Sequence, residues 1–158
     1  MTTKNSDLVA NFEATYTMSD AGLLTGTTRI AQGTVELAAG DSTDNDIVML
    51  APIPTHARIS SLKIGTDTLG GSCTFNVGLY TSDGVVKDED CFASSVADAA
   101  AMTDVRFEAA DISTAGQEVY TIAGDSTDPG GHYYVAATFN ATGGTAGTMS
   151  FIIEYVMN

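Results

Sequence analysis

Apolar residues recur at every second position through most of this chain, separated by short clusters of Gly, Asp, Ser, Thr and Pro. That period puts alternate side chains on one face of an extended strand. Residues 132–141 place Tyr133, Val135, Ala137 and Phe139 on one face, and residues 147–156 do the same with Met149, Phe151, Ile153 and Tyr155. With Gly143 and Gly144 between them, the two runs predict a terminal β-hairpin. Their second faces also carry Tyr134, Ile152 and Val156, so this pair belongs between other strands or against a partner and not on a solvated edge.

The same pattern predicts further strands upstream. Residues 28–37 read as a strand with an irregularity at Gly33, and residues 47–51 as a short central strand stopped by Pro52 and Pro54. Strands follow over 57–65 and 73–80, the second with Cys73, Phe75, Val77 and Leu79 on one face. Asp83-Gly84 signals a tight turn into Val85 and Val86. In residues 91–102 the pattern changes: Phe92, Val96 and Ala99 recur at three to four positions in an Ala-rich run behind Asp88-Glu89-Asp90, which predicts one short helix. Strands resume over 105–108 and 119–123, with a loop or single turn over 111–116.

Short strands at such spacing predict an all-β fold: an antiparallel β-sandwich, jelly-roll-like, with at most one short helix. A chain of 158 residues supports one core, so residues 28–158 form the expected sandwich domain. Residues 1–27 lack a clean period and read as an extended N-terminal arm lying on the body or on another subunit.

Composition narrows the function. Twenty Asp and Glu against six Lys and Arg give a net charge of −14, which excludes binding a nucleic-acid backbone or an anionic membrane through a basic surface. There is no basic start followed by an apolar core, and no run of about 20 apolar residues, so the expected site of synthesis is a cytoplasm. No nucleophile elbow, phosphate loop or dinucleotide fingerprint occurs, and His56 and His132 lack zinc-ligand spacing. The expectation is a protein that is not an enzyme and needs no cofactor.

One motif repeats without change: Ala-Gly-Asp-Ser-Thr-Asp occupies residues 39–44 and again 123–128. Two readings are open. Asp41, Asp44, Asp46, Asp125 and Asp128 could offer hard oxygen ligands to a structural calcium ion, or the motif makes tight turns through side-chain to backbone hydrogen bonds. The turn is the simpler reading, since the closing Glu of a helix-loop-helix calcium loop is missing. Cys73 reads as a buried thiol, with a Cys73–Cys91 disulfide left open. Tyr80, Tyr120, Tyr133, Tyr134 and Tyr155 could include a sugar-stacking surface, although core or subunit contact is simpler for Tyr133 and Tyr155.

From residue 28 to the end, the chain resembles a family of small tailed-bacteriophage proteins, especially from marine and cyanobacterial phages, taken to be capsid decoration or cement proteins. The likeness lies in residues 29–37, 46–54, 57–62, 77–81, 84–86, 128–135 and 150–156, among them Asp128-Pro-Gly-Gly131 and the terminal Phe151-Ile-Ile-Glu-Tyr155. It implies a jelly-roll-like virion protein on the outer surface of a capsid, at junctions between major capsid protein subunits. It also implies a homo-oligomer, with a trimer among the arrangements allowed, and makes Leu8, Val9, Phe12 and Tyr16 of the arm the candidate contacts to a capsid or neighbouring subunit. The alternative of the same composition is a tail-fibre or baseplate module with a carbohydrate-binding face.

Overall fold

The computed structural model describes residues 26–108 and 112–157. Their strands are β1 (Thr27–Leu37), β2 (Ile47–Pro54), β3 (Arg58–Thr66), β4 (Thr74–Tyr80), β5 (Val86–Ala97), β6 (Thr103–Asp104), β7 (His132–Ala141) and β8 (Gly147–Met157). A 3-10 turn (Ile112–Thr114) and one helical turn, α1 (Val119–Ile122), lie between β6 and β7. One sheet has the order β1-β8-β3-β6 and the other β2-β7-β4-β5, with every pairing antiparallel. Because each connection crosses to the other sheet except that between β4 and β5, the chain winds as a jelly roll.

The core fills the space between the sheets. Ile59, Leu62, Ile64, Met149 and Ile153 enter it from the first sheet, and Ile53, Val77, Leu79, Val135 and Ala137 from the second. Phe75 and Phe139 meet edge to face, with centroids 6.0 Å apart and planes at 73°.

Several expectations change. β7 and β8 are not a hairpin: β7 lies between β2 and β4, and β8 between β1 and β3, in opposite sheets. Period two fixes which side chains share a face but not which sheet a strand joins. β2 is an edge strand and not a central one, and it continues through Pro52 and Pro54. The bonds between Phe139 and residues 45 and 46 turn the odd-numbered residues of β7 toward β2. Val48, Ala51 and Ile53 pair with those residues, so Pro52 and Pro54 have their missing N–H on the outward side, where no ladder needs it. Gly33 is not an irregularity, since β1 and β8 pair without a shift; a Cβ there would lie 3.0 Å from Cζ of Phe151, whose ring fills the space.

The expected helix over 91–102 is instead the second half of β5 and a loop. The Asp98 carboxylate accepts from Leu69 N at 2.8 Å, and Ala99 O accepts from Thr66 N at 2.8 Å. These bonds tie the Ala-rich run to the β3–β4 side, away from a helical path. Conversely, the strand expected over 119–123 is α1, held by Val119 N to Ala57 O (2.9 Å) and Tyr120 N to Thr55 O (2.9 Å), and stopped at Gly124 with φ +82. The strand expected at 105–108 is a turn after the two-residue β6.

Candidate interaction surface

The topology sorts the loops into two ends. At one end the β1–β2, β3–β4, β5–β6 and β7–β8 connections lock together through Gly143 N to Ser42 O (2.9 Å), Thr145 N to Leu69 O (2.8 Å) and Leu69 N to Asp98. At the other, Tyr120 N reaches Thr55 O and Thr55 N reaches Gly131 O (3.1 Å), joining the β2–β3 turn to the long β6–β7 connection.

The two copies of the repeated motif sit one at each end and do different work. In the first, Asp41 Oδ2 accepts from Ala38 N and Asp46 Oδ2 from Thr43 N, both at 2.9 Å, while Ser42 is buried against Gly143 and Gly144. Asp44 accepts from Asn45 Nδ2 at 3.0 Å. In the second copy Ser126 is exposed, Asp128 Oδ1 caps Gly130 N at 2.8 Å, and Asp125 is engaged by a lysine. The turn reading accounts for these contacts. Among the described residues, no group of three or more His, Cys, Asp and Glu side chains is placed to hold a metal ion.

Asp125 belongs to a small polar cluster. Lys87 Nζ donates to Asp125 Oδ1 at 2.7 Å and lies 5.4 Å from the Tyr133 ring centroid, and the Tyr133 hydroxyl donates to Asp125 Oδ2. The Lys87 ammonium holds the Asp125 carboxyl below its usual range, aided by the Tyr133 hydroxyl; Asp125 in turn raises Lys87. A depressed carboxylate contributes stability that is present above its ordinary value of about 3.9 and is lost as pH falls through the folded value. A raised lysine contributes below about 10.4 and loses its contribution as pH rises through its folded value. Both side chains are about a quarter exposed, so screening limits the pair to about 1 kcal/mol. We expect Lys87→Met to cost up to that much near pH 7 and less near pH 2, by urea unfolding at both; equal losses would mean that only packing on Tyr133 matters.

The tyrosines do not form one platform. Tyr80 and Tyr133 are buried, Tyr155 lies on the core-facing side of β8, and Tyr134 is half-buried on the outer face of the second sheet. Both cysteines are free. Burial pushes the Cys73 thiol up with help from Asp98, and burial with Asp88 pushes Cys91 far above the usual thiol range, so both stay protonated and unreactive.

What the sequence does not announce is an apolar surface around the β4–β5 turn. Val85 is 59% exposed and Val86 50%. Pairing sets Val86 beside Tyr80, which is itself buried and so not part of the surface, and Pro52 beside the half-buried Tyr134 two strands away. Met49 reaches the same turn, its Cε 3.8 Å from where a Cβ on Gly84 would stand. On a chain of net charge −14, the exposed Val85–Val86 pair with Met49 beside its turn is a candidate contact surface. A Val-Val pair after Asp-Gly was the available signal, but only pairing shows what lies beside it. The arm residues Leu8, Val9, Phe12 and Tyr16 lie outside the described residues.

No family model matches the chain, and no curated protein matches it. Solved structures do. A chain of the cyanophage Pam1 capsid asymmetric unit aligns over 100% of both chains at 14% identity with a TM-score of 0.51. A chain of the capsid of Ralstonia phage GP4 aligns over 84% of this chain and 86% of its own at 19% identity, with a TM-score of 0.52. These likenesses show the fold.

Proposed function

We propose that this chain is a structural virion protein that binds the outer surface of a phage capsid at junctions between major capsid protein subunits and stabilises the head. The observation that carries this reading is the end-to-end match of its jelly roll to a chain from a cyanophage capsid, joined by a second match to a chain from a Ralstonia phage capsid. The surface supports it. A net charge of −14 suits the outside of a particle and disfavours a place against packaged DNA, and the Val85–Val86 surface offers apolar contact at one end of the sandwich. The unreactive thiols and the carboxylates engaged in turns favour binding over catalysis.

The mechanism is bridging. Each copy contacts neighbouring subunits, and many modest contacts repeated over a symmetric lattice add through effective concentration. The chain acts as a homo-oligomer, with a trimer suited to three-fold junctions. The N-terminal arm, through Leu8, Val9, Phe12 and Tyr16, is a second anchor. The test is cosedimentation with matching heads that lack this protein. Val85→Asp with Val86→Asp places two charges on exposed positions, so the fold survives while binding falls by roughly tenfold or more; Phe12→Ala with Tyr16→Ala acts in the same direction through the arm. Unchanged occupancy by either pair defeats the surface it tests.

A further inference from the structure

The lateral edges of the sandwich are unequally guarded against strand pairing. β6 is two residues long. β5 carries Asp88, Glu89 and Asp90 and has three register shifts against β4. β2 has a bulge at Met49/Ala51 and two outward prolines. These are the usual protections of an edge. β1 has none of them: it runs 11 residues without a register shift and carries only Arg29 and Glu36 as charges.

The direction of its free groups follows from its neighbours. Leu62 O accepts from Val105 N at 2.8 Å, and Leu62 N points to Asp104 Oδ1 at 3.3 Å, so Leu62 faces away from β8. Its partner Ile153 therefore turns toward β1 and bonds Ala31. Thr148 O, which accepts from Asp67 N at 2.9 Å on the β3 side, fits the same alternation. The N–H and C=O groups of Thr28, Ile30, Gln32, Thr34 and Glu36 are thus aimed outward, and no described residue bonds them. Beside the second half of β1 runs a groove of about 400 Å³ between β1 and β2. Val35, Leu37 and Val48 form its apolar wall, and Glu36, Asp41 and Asp46 its acidic rim.

We infer that the β1 edge receives an extended segment of the major capsid protein by strand addition. The incoming backbone pairs with the five outward residues, alternate apolar side chains enter the groove, and a Lys or Arg meets the Glu36, Asp41 and Asp46 carboxylates. The acidic rim suits a segment that brings a Lys or Arg and opposes a second copy, whose own acidic rim and net charge of −14 would resist the approach. The inference rests on the shell-binding reading.

Hydrogen exchange of the free chain and of the chain bound to heads tests it. Ile30, Gln32, Thr34 and Glu36 amides should exchange fast in the free chain and at least roughly tenfold more slowly on heads, while Ala31, Gly33 and Val35 are slow in both. Thr34→Pro removes one outward donor at a position where an edge tolerates proline, and should weaken binding per site by about tenfold with unfolding unchanged. Binding to heads without slowing of the alternate amides, or wild-type binding by folded Thr34→Pro, overturns the inference and leaves the shell reading standing. If Thr34→Pro does not fold, the exchange pattern decides. No binding to heads overturns both. Slow exchange of these amides in the free chain overturns the inference as well: if concentration-dependent it names a second copy as occupant, and if not, the chain's own residues.

Discussion

Gly78→Ala is expected to destabilise the protein by about 3 kcal/mol or more, enough to remove much of the margin of a domain this size. Between the pairs Val77–Ala93 and Leu79–Asp88, Gly78 alone stands opposite four residues of β5, Glu89 to Phe92. The surplus folds back over the outer face of the sheet. A Cβ on Gly78 would lie 2.1 Å from Asp88 O, 2.3 Å from Glu89 C and 2.4 Å from Glu89 O, all backbone atoms that cannot rotate away. Nearby bonds would go with them: Asn76 Nδ2 to Glu89 Oε1 (2.8 Å) and the seating of Phe92, which is fully buried. Gly40→Ala is the control, since nothing lies within 4 Å of its Cβ. It should be neutral or slightly stabilising, by under about 1 kcal/mol, through the unfolded chain. Urea unfolding of both variants checks the contrast; a Gly78→Ala protein as stable as Gly40→Ala would mean that β5 does not cross there.

Arg106→Ala is expected to cost about 3–5 kcal/mol, through the cavity left by a large buried side chain and the buried carbonyls left without a donor. Arg106 is 1% exposed. Its Nε donates to Ile59 O at 3.0 Å and Nη2 to Thr114 O at 3.3 Å, and the guanidinium carbon lies 5.0 Å from the Phe92 ring centroid and 4.4 Å from that of Phe107. One planar group therefore joins β3 of the first sheet, β5 of the second and the loop at Thr114. Burial lowers its proton affinity, yet an arginine stays charged at any working pH. Arg106→Lys should recover less than half of the loss, because an ammonium cannot serve both carbonyls and both rings. Thermal or denaturant unfolding of the pair reads this out; full rescue by lysine would reduce the role of Arg106 to its charge.

These two sites also show where sequence legibility ended. The alternating sets Phe75, Val77, Leu79 in β4 and Tyr133, Val135, Ala137, Phe139 in β7 are all buried, so strand identity and the all-β class were readable, although Tyr80, Ala136 and Thr138 on the other face are buried too. The β5 excursion breaks alternation, burying the consecutive Phe92 and Ala93 and holding Ser95 at φ +55, and the resulting spacing imitates a helix. Arg106 sits between Val105 and Phe107 where alternation would send it to solvent; its burial depends on carbonyls far away in sequence. For the candidate surface, the exposed Val85 and Val86 were visible as residues, but the approach of Met49 to their turn exists only in the folded chain. The open edge of β1 was likewise hidden, since strand order across a sheet is set by tertiary packing and not by local pattern.

Attachment to the outside of a phage shell is tested most directly by cryo-microscopy of matching heads lacking this protein after saturation with the purified chain. Ordered density for the jelly roll is expected on the outer surface, at one set of symmetry-related junctions between major capsid protein subunits, with occupancy that saturates. Bare heads, or density confined to the tail, would contradict it.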